Sequence, residues 1–102
     1  MNTKSLVLPN ILDLKAASPL VESLLSMRGS DLVLDASQVE RIGGQCLQVL
    51  VSAVSTWHAD GVSMDFAEIS DAFSDGLAGL GVKLSDLRAA SHMATEDERS
   101  AA

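Results

Sequence analysis

Cys46 is the only cysteine among 102 residues. A lone thiol excludes an internal disulfide and a cysteine-rich zinc cage, and it suits a reducing cytoplasm. Aromatic side chains are nearly absent, with one Trp, two Phe and no Tyr, so the core has to be built from Leu, Val, Ile, Met and Ala. Basic residues are half as numerous as acidic ones, 7 against 14, which leaves a formal charge of −7. Such a field repels phosphate backbones and anionic lipid, so no nucleic-acid partner is expected. No long hydrophobic run occurs either. In the opening MNTKSLVLPN the apolar stretch is cut by Pro9, too early for a secretion signal or a membrane span. A cytoplasmic location without direct membrane insertion is the expectation.

What is present suffices for one folded unit. A hydrophobic fraction of 47% in a chain of this length supports a single core. One domain is expected over residues 1–93, with the polar ATEDERSAA of residues 94–102 as a disordered tail. Ser5 to Leu8 reads as a short strand, Pro9-Asn10 as a turn, and Ile11 to Asp13 as a second short strand. Ser18-Pro19 has the form of a helix start, Ser18 as N-cap and Pro19 in the first turn, with room for a turn from Leu14 to Ala17 before it. Leu20, Val21, Leu24, Leu25 and Met27 then form an apolar stripe ending at Gly29. Asp31 to Ser37, DLVLDAS, reads as a buried strand, and a long helix follows from about Gly44 to His58. After the Asp60-Gly61 turn, Val62 to Phe66 alternates as a strand. Ser70 or Asp71 caps a third helix carrying Phe73, Leu77 and Leu80, and Leu84 and Leu87 start a last short one. Strands separated by helices imply an α/β fold: a small mixed sheet of about four strands with helices mainly on one face.

The residues offer little for catalysis. His58 and His92 stand 34 positions apart with no ligand at helical spacing. There is no HExxH, CxxC or Walker-type GxxxxGK[ST], so no metal and no cofactor is expected. Gly43-Gly44 before a helix has some likeness to a phosphate-cradling loop, but a third glycine and a lysine are missing. Cys46 falls in the first turn of the long helix, where the dipole lowers a thiol pKa; against this, a free cysteine is usually buried packing. His58 suits a helix C-terminus. Asp65, Glu68, Asp71 and Asp75 suit caps and a solvated face.

More informative is a stretch without charge. From Ile42 to Trp57 no residue is ionisable except Cys46. The polar side of that helix is Gln45, Gln48, Ser52, Ser55 and Thr56, interleaved with Val49 and Ala53. A freely solvated helix carries Lys, Glu or Arg, whereas the centre of a protein interface is depleted in charge. The plainer alternative is a face covered within the domain.

The segment LVLDASQVERIGGQCLQVLVSAV resembles the central segment of STAS domains, the fold of bacterial anti-sigma factor antagonists. Those segments run from a strand ending in Asp or Asn, through apolar anchors, to Asp-Ser-Ser-Gly-Leu opening a helix. Here Leu34-Asp35 matches the strand end, Val39 and Ile42 the anchors, and Leu47 the helix-facing leucine; the element order agrees over most of residues 4 to 88. VLPNILDLKAA and LDASQVERIGGQCLQVL are similar to small stand-alone STAS proteins encoded with chemotaxis genes in alphaproteobacteria. In the family, a serine of the Asp-Ser-Ser-Gly turn is phosphorylated by a partner kinase, which blocks docking. Carried over by position, the Asp falls on Gly43, the first Ser on Gly44, the phosphoacceptor on Gln45 and the Gly on Cys46. Glutamine cannot accept phosphate, and no serine lies between Ile42 and Gln48 to replace it; Ser37 and Ser52 remain as acceptors elsewhere.

The resemblance implies a non-enzymatic interaction module that regulates a signalling kinase without the phosphoserine switch, the chemotaxis histidine kinase first. Binding is expected through Gly43, Gly44, Gln45, Gln48, Val49 and Ser52. Alternatives are an anti-sigma factor antagonist binding an anti-sigma factor kinase, an accessory subunit of a lipid-transport ABC system, and a nucleotide sensor using the Gly43-Gly44 turn. The oligomeric state is left open.

Overall fold

The computed structural model describes residues 3–87; the expected tail of residues 94–102 and His92 lie outside them. The elements run β1 (Lys4–Val7), β2 (Ile11–Leu12), α1 (Leu14–Ser26), β3 (Leu32–Asp35), β4 (Arg41–Ile42), α2 (Gly44–Ala59), β5 (Met64–Ala67) and α3 (Asp71–Gly79). Residues 84–87 are helical again. The expected α/β class with a STAS-like architecture is what the chain adopts.

The main sheet has the order β1-β3-β5, with β3 in the middle. Its rows are in register: Lys4, Leu32 and Met64 align, as do Leu6, Leu34 and Phe66. Strand alternation decides what those rows do. Leu32, Leu34, Met64 and Phe66 are buried, while Val33, Asp35, Asp65 and Ala67 on the other face are not. The buried row meets Leu20 and Leu24 of α1, Leu47, Leu50, Val54 and Trp57 of α2, and Phe73 and Leu77 of α3 in one core cluster. Phe66 and Phe73 stack with ring centroids 6.2 Å apart, and the Trp57 indole N–H donates to the Ser30 carbonyl at 2.7 Å. That bond satisfies the one polar group of a buried ring.

The structure departs from the sequence expectations in three places. Every strand pair among the described residues is parallel, so the sheet is not mixed, and Ile11–Leu12 does not return to β1. It pairs with Arg41–Ile42, a strand the sequence pattern did not reveal, because the Asn10 carbonyl accepts from the N–H groups of Glu40 (2.7 Å) and Arg41 (3.2 Å). The first helix starts at Leu14, not at Pro19. Asp13 caps it by accepting from the Ala16 N–H, which leaves Pro19 inside the helix at the cost of one backbone hydrogen bond. Finally β5 begins at Met64 because Val62 still belongs to the end of α2, its N–H donating to the Trp57 carbonyl at 3.1 Å.

One glycine is demanded by packing. A Cβ on Gly76 would sit 2.5 Å from Ile42 Cγ2, so α3 lies against β4 only because that hydrogen is there. Gly79, in the same helix, has open space around it. Gly76→Ala is expected to destabilise by roughly 1–3 kcal/mol, against the helix-propensity gain that the same change brings at Gly79. Urea unfolding followed by Trp57 fluorescence measures both: the midpoint falls for Gly76→Ala and holds or rises for Gly79→Ala.

Three carboxylates fasten loops on the sheet. Asp35 accepts from the Ser37 N–H at 2.9 Å, Asp31 from the Ser63 N–H at 2.9 Å, and Asp60 from Arg28 at 2.8 and 3.2 Å. In Asp35 and Asp31 the backbone hydrogen bond, and in Asp60 the Arg28 hydrogen bond, holds the pKa below the usual carboxylate range. A depressed folded pKa contributes stability above the unfolded value, lost as pH falls through the folded one. The urea midpoint is therefore expected to hold steady in weak acid and drop below about pH 4, with a shallower drop in the Asp35→Asn variant.

Candidate interaction face

The site grows out of the short β2–β4 pair. Leu12 is followed by Asp13, the cap of α1, and Ile42 by Gly43, the cap of α2. The Gly43 N–H donates to the Leu12 carbonyl at 2.9 Å, continuing the parallel ladder to the point where both helices begin. The two helices therefore start side by side and run in the same direction. Ala17, Ser18, Val21 and Glu22 of α1 line one depression with Gln45 and Val49 of α2. Further along, Val21, Leu24 and Leu25 line a second with Val49, Ser52, Ala53 and Thr56, floored by Trp57.

Cys46 fastens the helix starts together. Its side chain is fully buried, and its thiol donates to the Asp13 carbonyl at 3.2 Å. Burial first, and the nearby Asp13 carboxylate second, push the thiol pKa above its ordinary value. Both effects disfavour the thiolate, so the raised pKa runs against an activated sulfur. The packing role stands.

The expected binding residues fall together. Gln45, Gln48, Val49 and Ser52 follow the i, i+3, i+4, i+7 spacing that places them on one side of α2, opposite buried Leu47, Leu50 and Val54. Gly44, Gln45, Gln48 and Ser52 are exposed, while Gly43 and Val49 are half-buried. Among the described residues no element covers Gln48 and Ser52. Gly43 is extended at φ −108° and offers no capping side chain, so the first N–H groups of α2 have no side-chain cap. A Cβ on Gly44 would meet nothing, and one on Gly43 would make only an ordinary contact with the Leu12 carbonyl at 3.8 Å. The fold itself therefore does not require either glycine, and their smallness is available to a partner. The turn has no left-handed glycine and no lysine, which distances it from a phosphate-binding nest. Ser37, the other acceptor considered, is exposed in the loop before β4.

Sequence periodicity missed the contribution of α1. Val21 and Leu25 were expected in the core stripe; they are 38% and 58% exposed and form one wall of the groove. Leu20 and Leu24 alone carry the buried face of α1. The signal was present as two interleaved apolar spacings, Leu20–Leu24 and Val21–Leu25, which a start at Ser18 merges into one.

The remaining candidates stay apart. His58 is exposed in the last turn of α2, and Asp65, Glu68, Asp71 and Asp75 are exposed around β5 and α3. The α3 cap is Ser70, whose hydroxyl accepts from the Phe73 N–H at 3.0 Å and donates to the Val39 carbonyl at 2.7 Å. Among the described residues no cluster of three His, Cys, Asp or Glu side chains is placed to hold a metal. No helix there is long and apolar enough to cross a membrane.

This arrangement agrees with comparison against known families. The family model described as "Mlab, STAS domain" matches residues 2–91, and the chain belongs to that family. Comparisons with curated proteins and with solved structures found no match. STAS domains are generally protein-interaction modules of the anti-sigma factor antagonist type, and this chain has their fold.

Native Cys46 is expected to react with an aromatic disulfide reagent at least ~100-fold more slowly than in urea, since the sulfur is reached only through opening. Fast labelling of the folded protein would overturn the buried, hydrogen-bonded thiol.

Proposed function

We propose that this chain is a non-enzymatic module that binds a signalling kinase, the chemotaxis histidine kinase first, through the uncharged side of α2. The observation that carries the reading is the combination of exposure and neutrality. Gly44, Gln45, Gln48 and Ser52 are exposed on a helix with no Lys, Arg, Asp or Glu between Gly44 and Ala59, in a chain whose net charge is −7. Docking there strips water from amides and hydroxyls, which can be re-paired with the partner, and not from charges, whose desolvation is far more costly. The half-buried Val49 supplies the apolar centre.

Position 45 decides the mode of regulation. Gln45 is exposed at the second residue of α2, where the family resemblance places the phosphoacceptor, and its amide takes no phosphate. Docking at this face is therefore constitutive with respect to phosphorylation at residue 45.

The experiment is affinity purification from the native cell, with the wild type and the double variant Gln48→Lys/Ser52→Lys side by side. The wild type is expected to recover a signalling kinase, and the variant, with unchanged circular dichroism, to recover at least ~100-fold less, since two buried charges oppose the contact. Undiminished recovery by the variant would remove the face. Recovery of a transporter ATPase by the wild type would move the chain to the accessory-subunit class.

A further inference from the structure

We propose that α1 is a self-association helix, and that the occupant of its exposed seam is α1 of a second copy, running antiparallel. This rests on α1 alone and not on the kinase reading. Leu14, Ser18, Val21 and Leu25 are spaced four, three and four residues apart, the a/d spacing of a coiled-coil seam. Leu14 is 70% exposed, Leu25 58% and Val21 38%, and Ser18 is also exposed. The seam is thus separate from the buried Leu20 and Leu24, and among the described residues it has no cover.

Charge and spacing select the second copy. Lys15 and Glu22 flank the seam on one side, seven residues apart and both exposed. In an antiparallel pair, Leu14 lies opposite Leu25 of the second copy and Ser18 opposite Val21. The same register puts Lys15 opposite Glu22 of the second copy, twice, by the two-fold symmetry. The other flank holds the half-buried Ala17 and the buried Leu24, so it sets no charge against the second copy. A parallel pair would set the Lys15/Glu22 flank against the Ala17/Leu24 flank and leave all four charges unmatched. From Leu14 to Leu25 of the 13-residue α1 the seam is about 17 Å long. It is therefore shorter than the contact of a standard stable complex, and the dimer is a weak, concentration-dependent one.

Sedimentation equilibrium of the full chain from about 10 μM to about 1 mM tests this. The wild type is expected to shift from monomer to dimer across that range, and Leu25→Asp to stay monomeric with Trp57 fluorescence unchanged. Lys15→Glu and Glu22→Lys each turn two attractive pairs into repulsive ones, and each is expected to weaken the dimer about tenfold. The double variant Lys15→Glu/Glu22→Lys regains wild-type association. So does an equimolar mixture of the two single variants, because every opposite pair is restored across the interface. A wild type that stays monomeric throughout, a dimer that survives Leu25→Asp, or charge swaps without rescue would each overturn the proposal.

Discussion

The parallel pair of Ile11–Leu12 with Arg41–Ile42 is the smallest sheet in the fold, and the placement of two long helices depends on it. Each of its strands runs straight into a helix cap, Asp13 on one side and Gly43 on the other, and the Gly43 N–H is bonded to the Leu12 carbonyl. Two residues per strand contribute little stability by themselves. Their effect is geometric: they bring the starts of α1 and α2 together, and the Cys46 thiol on the Asp13 carbonyl holds them there. Gly76 extends the same constraint to α3, whose backbone rests on the Ile42 methyl group. Loosening the pair would disperse the groove while leaving the larger β1-β3-β5 sheet intact.

That geometry gives the α1–α2 side a character the rest of the surface lacks. Apart from Glu22 of α1, most acidic residues of the described chain lie away from it. Asp31, Asp35 and Asp60 fasten loops, and Asp65, Glu68, Asp71 and Asp75 are exposed around β5 and α3. The α2 face holds amides, hydroxyls and a half-buried valine, all of which lose water at modest cost. An acidic protein keeps non-specific partners away by its field, and the proposed docking face is a neutral patch within that field. Glutamine at position 45 belongs to the same design: it keeps hydrogen-bonding capacity at the helix start and removes the site of charge addition that the family resemblance places there.

Much of this was legible in the sequence, and the failures have a common cause. The position of α2 followed from Gly43-Gly44 and the spacing of Leu47, Leu50, Val54 and Trp57. The β3 strand followed from a short Leu/Val run between turn residues, and the family from the segment around Asp35 and Leu47. The partner of β2 was not legible, because a two-residue strand has no periodicity and its pairing is chosen by a carbonyl, that of Asn10, far along the chain from its donors Glu40 and Arg41. The start of α1 was misplaced for a related reason. Ser18-Pro19 is the better local helix start, but Leu12 is anchored by its ladder, so the chain turns at Asp13 and carries Pro19 inside the helix. Local preference yielded to tertiary position, and Val21 and Leu25 moved from the core to the surface as a consequence.

The central claim, that the uncharged side of α2 is the docking surface, is tested most directly by nuclear magnetic resonance. The measurement is a titration of the isotope-labelled chain with the chemotaxis histidine kinase, read as amide shift changes along the sequence. The account predicts changes concentrated at residues 44–56 of α2, with the Val33 and Asp65 amides of the open sheet face unmoved. Changes confined to that sheet face, with α2 silent, would contradict it.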